Sequence, residues 1–336
     1  MNLAALDRLE TFALLGPGFG DGRPLLLTDL REDGGAAPRL VFTPFEGDRR
    51  TARVLGGRPR EVDGSVFAAE PRPLPAHFAE GAYRAHVERI RAAIAAGDVY
   101  QVCYTVRAAL PAVSGATVLA AMCGRGVPRF AAWVRLPGGP EFVSASPELF
   151  FETDGRRVHS EPMKGTARAG AGAVLEASGK DRAELAMITD LVRNDLTPIC
   201  APRSVRVPCA RRLLELPYAV QTVSDVTGDL LEGLTPLDVL AALHPGGSVT
   251  GAPKRAALAM IGALEEGPRG AYCGALGLWE GSRSRFSLLI RTAERREGGW
   301  VYGLGSGIVY ESSAGQELDE LYTKLGALQC ASPRSA

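Results

Sequence analysis

The spacing of apolar residues switches from a helical to an alternating period within one stretch, which requires a fold that combines helices with half-buried strands. Tyr83, Val87, Ile90 and Ile94 fall on one helical stripe, and Gly97 stands where a helix would end. Directly afterwards VYQVCYTV runs with a period of two: Tyr100, Val102, Tyr104 and Val106 share one face, and Gln101, Cys103, Thr105 and Arg107 the other. Gln101 therefore points away from the aromatic face. Two further strand regions, PEFVSASPELFFE and RRVHSEPMKGT, flank the hairpin signal Asp154-Gly155 and set Glu148 and Lys164 in one β-rich segment. KDRAELAMITDLVRNDL carries Leu185, Ile188, Leu191 and Val192 on one helical stripe. More strands are expected around GALGLWEG, SRFSLLIRTAE and WVYGLGSGIVYE, and a final helix over residues 315–328. Helices and hairpin-linked strands of comparable weight indicate an α+β class rather than a parallel βαβ array.

Two segments are less regular. Residues 1–75 hold the short apolar runs Leu25–Leu27 and Leu40–Phe42 between Gly, Pro and Asp turns, and are expected to form a small β-rich region packing on a main domain over 76–330. Residues 168–179, RAGAGAVLEASG, have little periodicity and read as a mobile connection, with a lid as one role for it. Lys+Arg and Asp+Glu both number 38, so no net field favours nucleic acid or an acidic membrane, and a small metabolite is the expected partner. The cysteines, Cys103, Cys123, Cys200, Cys209, Cys273 and Cys330, form no CxxC pairs and read as reduced thiols. The chain has no apolar run near the ~20 residues of a membrane span, and its start mixes charges into the apolar residues, so a cytoplasmic location is expected.

The Gly-rich strings do not suit nucleotides. Gly246-Gly-Ser-Val-Thr-Gly251 is followed by Ala252 where a P-loop needs lysine, and Gly303-Leu-Gly305-Ser-Gly307 lies in a strand pattern with no helix after it. Both suit anion cradles better, because glycine lets backbone N–H groups approach a carboxylate, and Thr250-Gly-Ala-Pro253-Lys254 adds a helix start. A tight turn and a plain helix cap remain the alternative. Asp181 and Glu184, like Glu317 and Glu320, are three residues apart and share a helical face. The two faces could hold a hard cation such as Mg2+, or Glu320 could simply pair with Lys324 four residues on. Lys164, between Met163 and Gly165, is a candidate amine nucleophile if partly buried, and Glu148 a candidate general acid if its pocket is apolar. His244 and Tyr272 are either core residues or ligand contacts, and Arg291, at the end of FSLLI, suits a planar carboxylate.

Read together, SASPELF, PMKGTARAG, ELAMITDLVRNDL, HPGGSVTGAPKRAA, RGAYCGALG, LLIRTAE, GLGSGIV and QELDELYTK occur in the order found in chorismate-utilising enzymes, which the chain resembles from Tyr83 to Lys324. The resemblance implies one large domain of two packed antiparallel sheets with helices outside and an active site in a cleft. It implies that Glu184 and Glu320 hold Mg2+, with Asp181 and Glu317 as second acidic positions. Arg291, Tyr272 and the Gly305-Ser306-Gly307 backbone would clamp the enolpyruvyl carboxylate, with Lys324 among the substrate-binding positions. His244 and Thr250 would meet the ring.

Members of the family differ in their nucleophile. The position matching a water-activating lysine of isochorismate and salicylate synthases is Gln101, which cannot act as a base. Anthranilate synthases usually carry alanine where Lys164 stands, and AGT-x-SGAPK where this chain has GGSVTGAPK, so the resemblance favours the aminodeoxychorismate synthases, component I. It implies attack of Lys164 on C2 of chorismate while Glu148 protonates the departing C4 hydroxyl, then addition of ammonia at C4. Ammonia would come from a separate glutamine amidotransferase subunit, the product would pass to an aminodeoxychorismate lyase, and the pathway would lead to 4-aminobenzoate and folate. The region before Tyr83 lacks the LLES-type string associated with tryptophan binding, so tryptophan control is not expected. Anthranilate synthase component I and a non-catalytic chorismate-binding paralogue are the alternatives.

Overall fold

The computed structural model describes residues 3–32, 38–67, 73–124, 126–216 and 219–328; Cys330 lies outside them. The five other cysteines are free thiols, all buried except the half-buried Cys209.

Every strand pairing among the described residues is antiparallel, and the strands form one continuous hydrogen-bonded network. At one end the short strand Gly251–Ala252 pairs with Gln101–Leu110, followed in space by Gly299–Ile308, Thr292–Arg296, Glu141–Ser146 and Phe130–Arg135. Phe12–Leu15 then links Phe130–Arg135 to Leu25–Glu32, and the network continues through Arg53–Glu61, Arg39–Thr43, Ala275–Glu280 and Arg283–Leu288. Leu149–Asp154 and Arg157–Ser160 lead on to Ala219–Asp229, which also pairs with Met163–Arg168 on the same edge as Arg157–Ser160 and with Arg206–Leu216 on the other. The expected pair of sheets is thus one network folded over on itself. Phe42 and Phe142, from strands that do not pair, stack at 5.1 Å across the inner core. The outer core lies beneath the helices Glu80–Ala96, Gly115–Cys123 and Ala314–Leu325, with Tyr83, Val87, Leu119, Leu318 and Leu321 buried in it.

Phe12–Leu15 shows why the first 75 residues are hard to read. FALL does not alternate because both faces are covered: Ala13 and Leu15 enter the inner core, Phe12 and Leu14 the outer one. These N-terminal strands are hydrogen-bonded into the main network rather than laid against it.

Prolines break both strand regions that carry the candidate chemistry. Pro147 separates Glu141–Ser146 from Leu149–Asp154, and Pro162 separates Arg157–Ser160 from Met163–Arg168, because proline has no N–H for the ladder. Glu148 and Lys164 stand just after these breaks. The hairpin at Asp154-Gly155 forms as the sequence suggests, with Gly155 at φ 91°.

The 168–179 segment, expected as a connection without regular structure, holds a helix. A short helix, Gly172–Ala177, buries Leu175, and its Leu175 and Glu176 carbonyls accept hydrogen bonds from the Arg211 guanidinium. Docking to a distant arginine is invisible to local periodicity. The following helix, Gly179–Leu196, is capped by Ser178, whose Oγ accepts from Asp181 N at 3.1 Å. Ser178→Ala is expected to cost about 1 kcal/mol in urea unfolding through the lost cap.

Candidate functional site

Lys164 lies on a strand interrupted by a bulge: pairing with Ala219–Asp229 shifts between Lys164 and Thr166, and Gly165 takes φ 71°, a conformation side chains rarely adopt. The bulge re-aims the lysine. A Cβ at Gly307 would collide with Gln101 Nε2 and lie 3.2 Å from Lys164 Nζ, so the amine and the amide share the space above a glycine. The face of Gln101–Leu110 that carries Gln101 is opposite the one on which Tyr104 stacks with Tyr83, as the alternation predicts.

Gly303, Gly305 and Gly307 each take a close neighbour where a Cβ would stand. Tyr272 lays its ring against Gly303, and a Cβ at Gly305 would meet the Tyr272 hydroxyl at 3.3 Å. Burial, with Cys273 and Cys103 adjoining, pushes the Tyr272 phenol well above its ordinary value, so it remains a hydrogen-bond donor. Beyond Tyr302 the described strands pair with only one edge of this strand. Lys324 Nζ reaches the other edge, donating to the Gly305 carbonyl at 2.5 Å. Residues two apart present N–H and C=O to the same edge, so the Gly307 N–H shares that open edge. Ser306 turns its side chain the other way, its hydroxyl hydrogen-bonded to Tyr83 at 2.5 Å, so it is the backbone of this string and not the serine side chain that faces the open edge.

Glu148 is buried, 5% exposed, and burial pushes its carboxyl up to about 7 against the hydroxyl of Ser248, which donates to Oε1 at 3.1 Å, and the charge of Lys164. The Arg291 charge acts on the same carboxyl. Arg291 itself has φ 51°, and its carbonyl accepts from Ala145 N at 3.0 Å. A left-handed arginine of this kind costs on the order of 1 kcal/mol and is held by its surroundings. It also divides SRFSLLIRTAE, expected as one strand, into Arg283–Leu288 and Thr292–Arg296.

His244 donates through Nε2 to the carbonyls of Pro44 and Phe45 at 3.0 and 3.1 Å, which leaves Nδ1 buried as an acceptor without a partner. Burial lowers its proton affinity, in keeping with a neutral ring. Thr250 turns its hydroxyl back to the Gly246 carbonyl at 2.9 Å, and its own carbonyl accepts from Cys103 N at 2.8 Å. With Gly251–Ala252 paired to Gln101–Val102, this backbone is part of the sheet and not the open anion cradle expected before Lys254.

The acidic residues converge at the starts of two helices. Glu317 is buried, its Oε1 accepting from Ser312 Oγ at 2.6 Å and its Oε2 unpartnered; Glu184 Oε1 is likewise buried and without a hydrogen bond. Glu320 pairs with Lys324 at 2.6 Å, as the helical spacing allows. Burial works to raise Glu320, but the ammoniums of Lys324, Lys164 and Lys180 outweigh it and hold the carboxyl below its usual range. Burial leaves Glu184 raised despite Lys164 and Lys180. Asp181 packs instead against Gly165, whose added Cβ would lie 3.0 Å from its carboxyl carbon. Among the described residues no three His, Cys, Asp or Glu side chains close on one metal position. Two unpartnered carboxylate oxygens nonetheless fit Mg2+, which takes one or two carboxylates and completes its shell with water and substrate oxygens.

Lys164 thus draws together Gln101 and Gly307 by contact and Glu148, Glu184 and Glu320 by charge. Three further contributors went unassigned in the sequence. Ser248 and Lys180 sit inside strings already singled out, but a serine and a helix-start lysine carry no signal of their own. Arg269 is 4% exposed, pairs with Glu265 at 2.6 Å, and ties the carbonyls of Val249 and Cys103, which flank the site, at 2.6 and 2.8 Å. Tyr272 and Gly303 also line a cavity of about 210 Å³ with Arg107, Pro268 and Arg269, which neither Lys164 nor Glu148 reaches.

The chain is 37% identical over 254 residues to an aminodeoxychorismate synthase of Streptomyces pristinaespiralis, covering 72% of this chain and 35% of that protein. It is 32% identical over 310 residues to an anthranilate synthase component 1 of Haloarcula marismortui, covering 87% of this chain and 61% of that one. It therefore spans less than two thirds of either relative. Anthranilate synthase component I of Streptococcus pneumoniae shares the fold, with a TM-score of 0.73 at 21% identity over 94% of this chain and 89% of that one. No helix among the described residues is long and apolar enough to cross a membrane. The model of the chorismate binding enzyme family matches residues 48–329, and the chain belongs to that family.

Proposed function

We propose that the chain is the aminating subunit of a 4-amino-4-deoxychorismate synthase, converting chorismate and ammonia to aminodeoxychorismate and water. The observation that carries this reading is an amine, Lys164 Nζ, standing over Gly307 within charge range of a buried carboxyl poised near neutrality, Glu148. An anthranilate synthase needs no nucleophile at that position.

Lys164, as the free amine, bonds to C2 of the ring; the double-bond electrons shift, and the C4 hydroxyl leaves as water with the proton of Glu148. Ammonia then adds at C4, the electrons shift back, the C2–N bond breaks to release Lys164 as the free amine, and the ammonium formed at C4 returns a proton to Glu148. Ser248 keeps the Glu148 carboxyl aimed. Arg291, the Tyr272 hydroxyl and the Gly307 N–H would hold the enolpyruvyl carboxylate, a role of positioning and charge compensation. His244 Nδ1 would accept a hydrogen bond from the ring side. Glu184 and Glu317 would hold Mg2+, with Glu320 as a further acidic position, and the ion when bound supplies positive charge for the ring carboxylate. A separate glutamine amidotransferase subunit would deliver the ammonia, and a lyase would take the product to 4-aminobenzoate.

The test is incubation with chorismate, ammonium and Mg2+. 4-Aminobenzoate is expected only after aminodeoxychorismate lyase is added, and EDTA is expected to remove the activity. Anthranilate released without lyase would overturn the assignment.

A further inference from the structure

Lys180 stands in the first turn of Gly179–Leu196, with Nζ 3.6 Å from Glu317 Oε1 and 3.8 Å from Glu184 Oε1. Both distances exceed a hydrogen bond. The ammonium therefore offsets part of the charge of the two carboxylates without satisfying them: Glu184 Oε1 and Glu317 Oε2 remain without hydrogen-bond partners, and Glu317 is only 2% exposed. Its own side chain is 51% exposed, so it can withdraw into solvent by rotamer changes alone. Among the described residues Lys180 is the ammonium within 4 Å of both carboxylates; Lys164 also acts on Glu184 by charge, and Lys324 is committed to Glu320 and the Gly305 carbonyl.

We propose that Lys180 is a built-in counter-ion that holds the acidic pair Glu184–Glu317 together in the metal-free protein and is displaced when a divalent cation binds there. An inward-facing pair of carboxylates without a cation repels itself, and a tethered ammonium offsets that repulsion by attracting both while leaving the oxygens available. The metal must compete with a resident charge, so Lys180 sets the apparent metal affinity and keeps the site selective for divalent over monovalent ions. The inference rests on the metal reading of these glutamates.

The test is Mn2+ binding to the full chain without chorismate, followed by electron paramagnetic resonance and calorimetry, with Mn2+ as a carboxylate-seeking stand-in for Mg2+. Lys180→Met is expected to tighten Mn2+ binding about tenfold, Lys180→Arg to leave it near the wild-type value, and Glu317→Gln to weaken it at least tenfold. Melting in EDTA gives a second readout: Lys180→Met should melt below the wild type, and added Mg2+ should raise its midpoint by more than that of the wild type. If Glu184→Gln and Glu317→Gln leave Mn2+ binding unchanged, the metal lies elsewhere and the underlying reading fails. If they weaken it while Lys180→Met binds no more tightly than the wild type, the site stands and the role given to Lys180 is wrong.

Discussion

Lys164→Ala is expected to lower 4-amination by at least about 10³-fold, because it removes the group that forms the covalent bond to the ring. Residual amination should move to C2, where ammonia can take the place of the missing amine, and appear as anthranilate. Two effects are mixed in that variant. Lys164 also lowers the carboxyls of Glu148, Glu184 and Glu320, so its loss should raise the Glu148 carboxyl beyond about 7 and loosen charge balance across the site. Lys164→Arg separates them: the guanidinium keeps the positive charge but is no nucleophile at neutral pH. Both variants should lose 4-amination equally by chromatography of the products, with unfolding free energy changed by no more than about 1 kcal/mol. Near wild-type turnover in Lys164→Arg would reduce the lysine to a counter-charge and remove the covalent step.

The parts of the fold legible in the sequence are those in which one face is buried and the other is not. The Glu80–Ala96 helix and its Gly97 cap, at φ 85°, follow from the stripe of Tyr83, Val87 and Ile90. The two faces of Gln101–Leu110 follow from alternation. Periodicity fails for Phe12–Leu15, buried on both sides, and for Arg53–Glu61, whose Gly, Arg and Pro residues read as loop although the strand pairs on both edges. Within the site, residue type pointed to Lys164, Glu148 and the glutamates, since ionisable groups announce their chemistry. The string GLGSG does not reveal that the Ser306 hydroxyl turns to Tyr83. Thr250, buried with its hydroxyl on Gly246, shows the same limit: a polar residue in a recognisable string can be spent on the turn that the string makes. Arg269 acts through Val249 and Cys103, and Lys180 through Glu317, over contacts distant in sequence; the Lys180–Glu184 pair alone has the i,i+4 spacing of a helix, which by itself reads as a surface ion pair.

Glu148→Gln is the second decisive change, expected to lower turnover by about 10²–10⁴-fold through loss of the proton donated to the leaving hydroxyl. The amide matches the carboxyl in shape and can still accept from Ser248, so substrate binding should change little and the loss should fall on kcat. The pH dependence gives an independent check. With the carboxyl pushed up to about 7, wild-type turnover should fall above that pH as the acid form is lost, and the residual activity of Glu148→Gln should lack that limb. Stability carries the same signature. The folded carboxyl lies above its unfolded value near 4.5, so below pH 4.5 both states hold the proton and no penalty exists. As pH rises from about 4.5 to 7 the unfolded chain gives up the proton first, and the wild type should lose about 3 kcal/mol that Glu148→Gln does not lose. Urea unfolding at pH 4 and pH 8 measures the difference: the variant should be close to the wild type at the lower pH and more stable than it at the higher. A variant less stable at pH 8 than the wild type would mean that Glu148 is ionised and well paired in the folded protein, which leaves the departing hydroxyl without its acid.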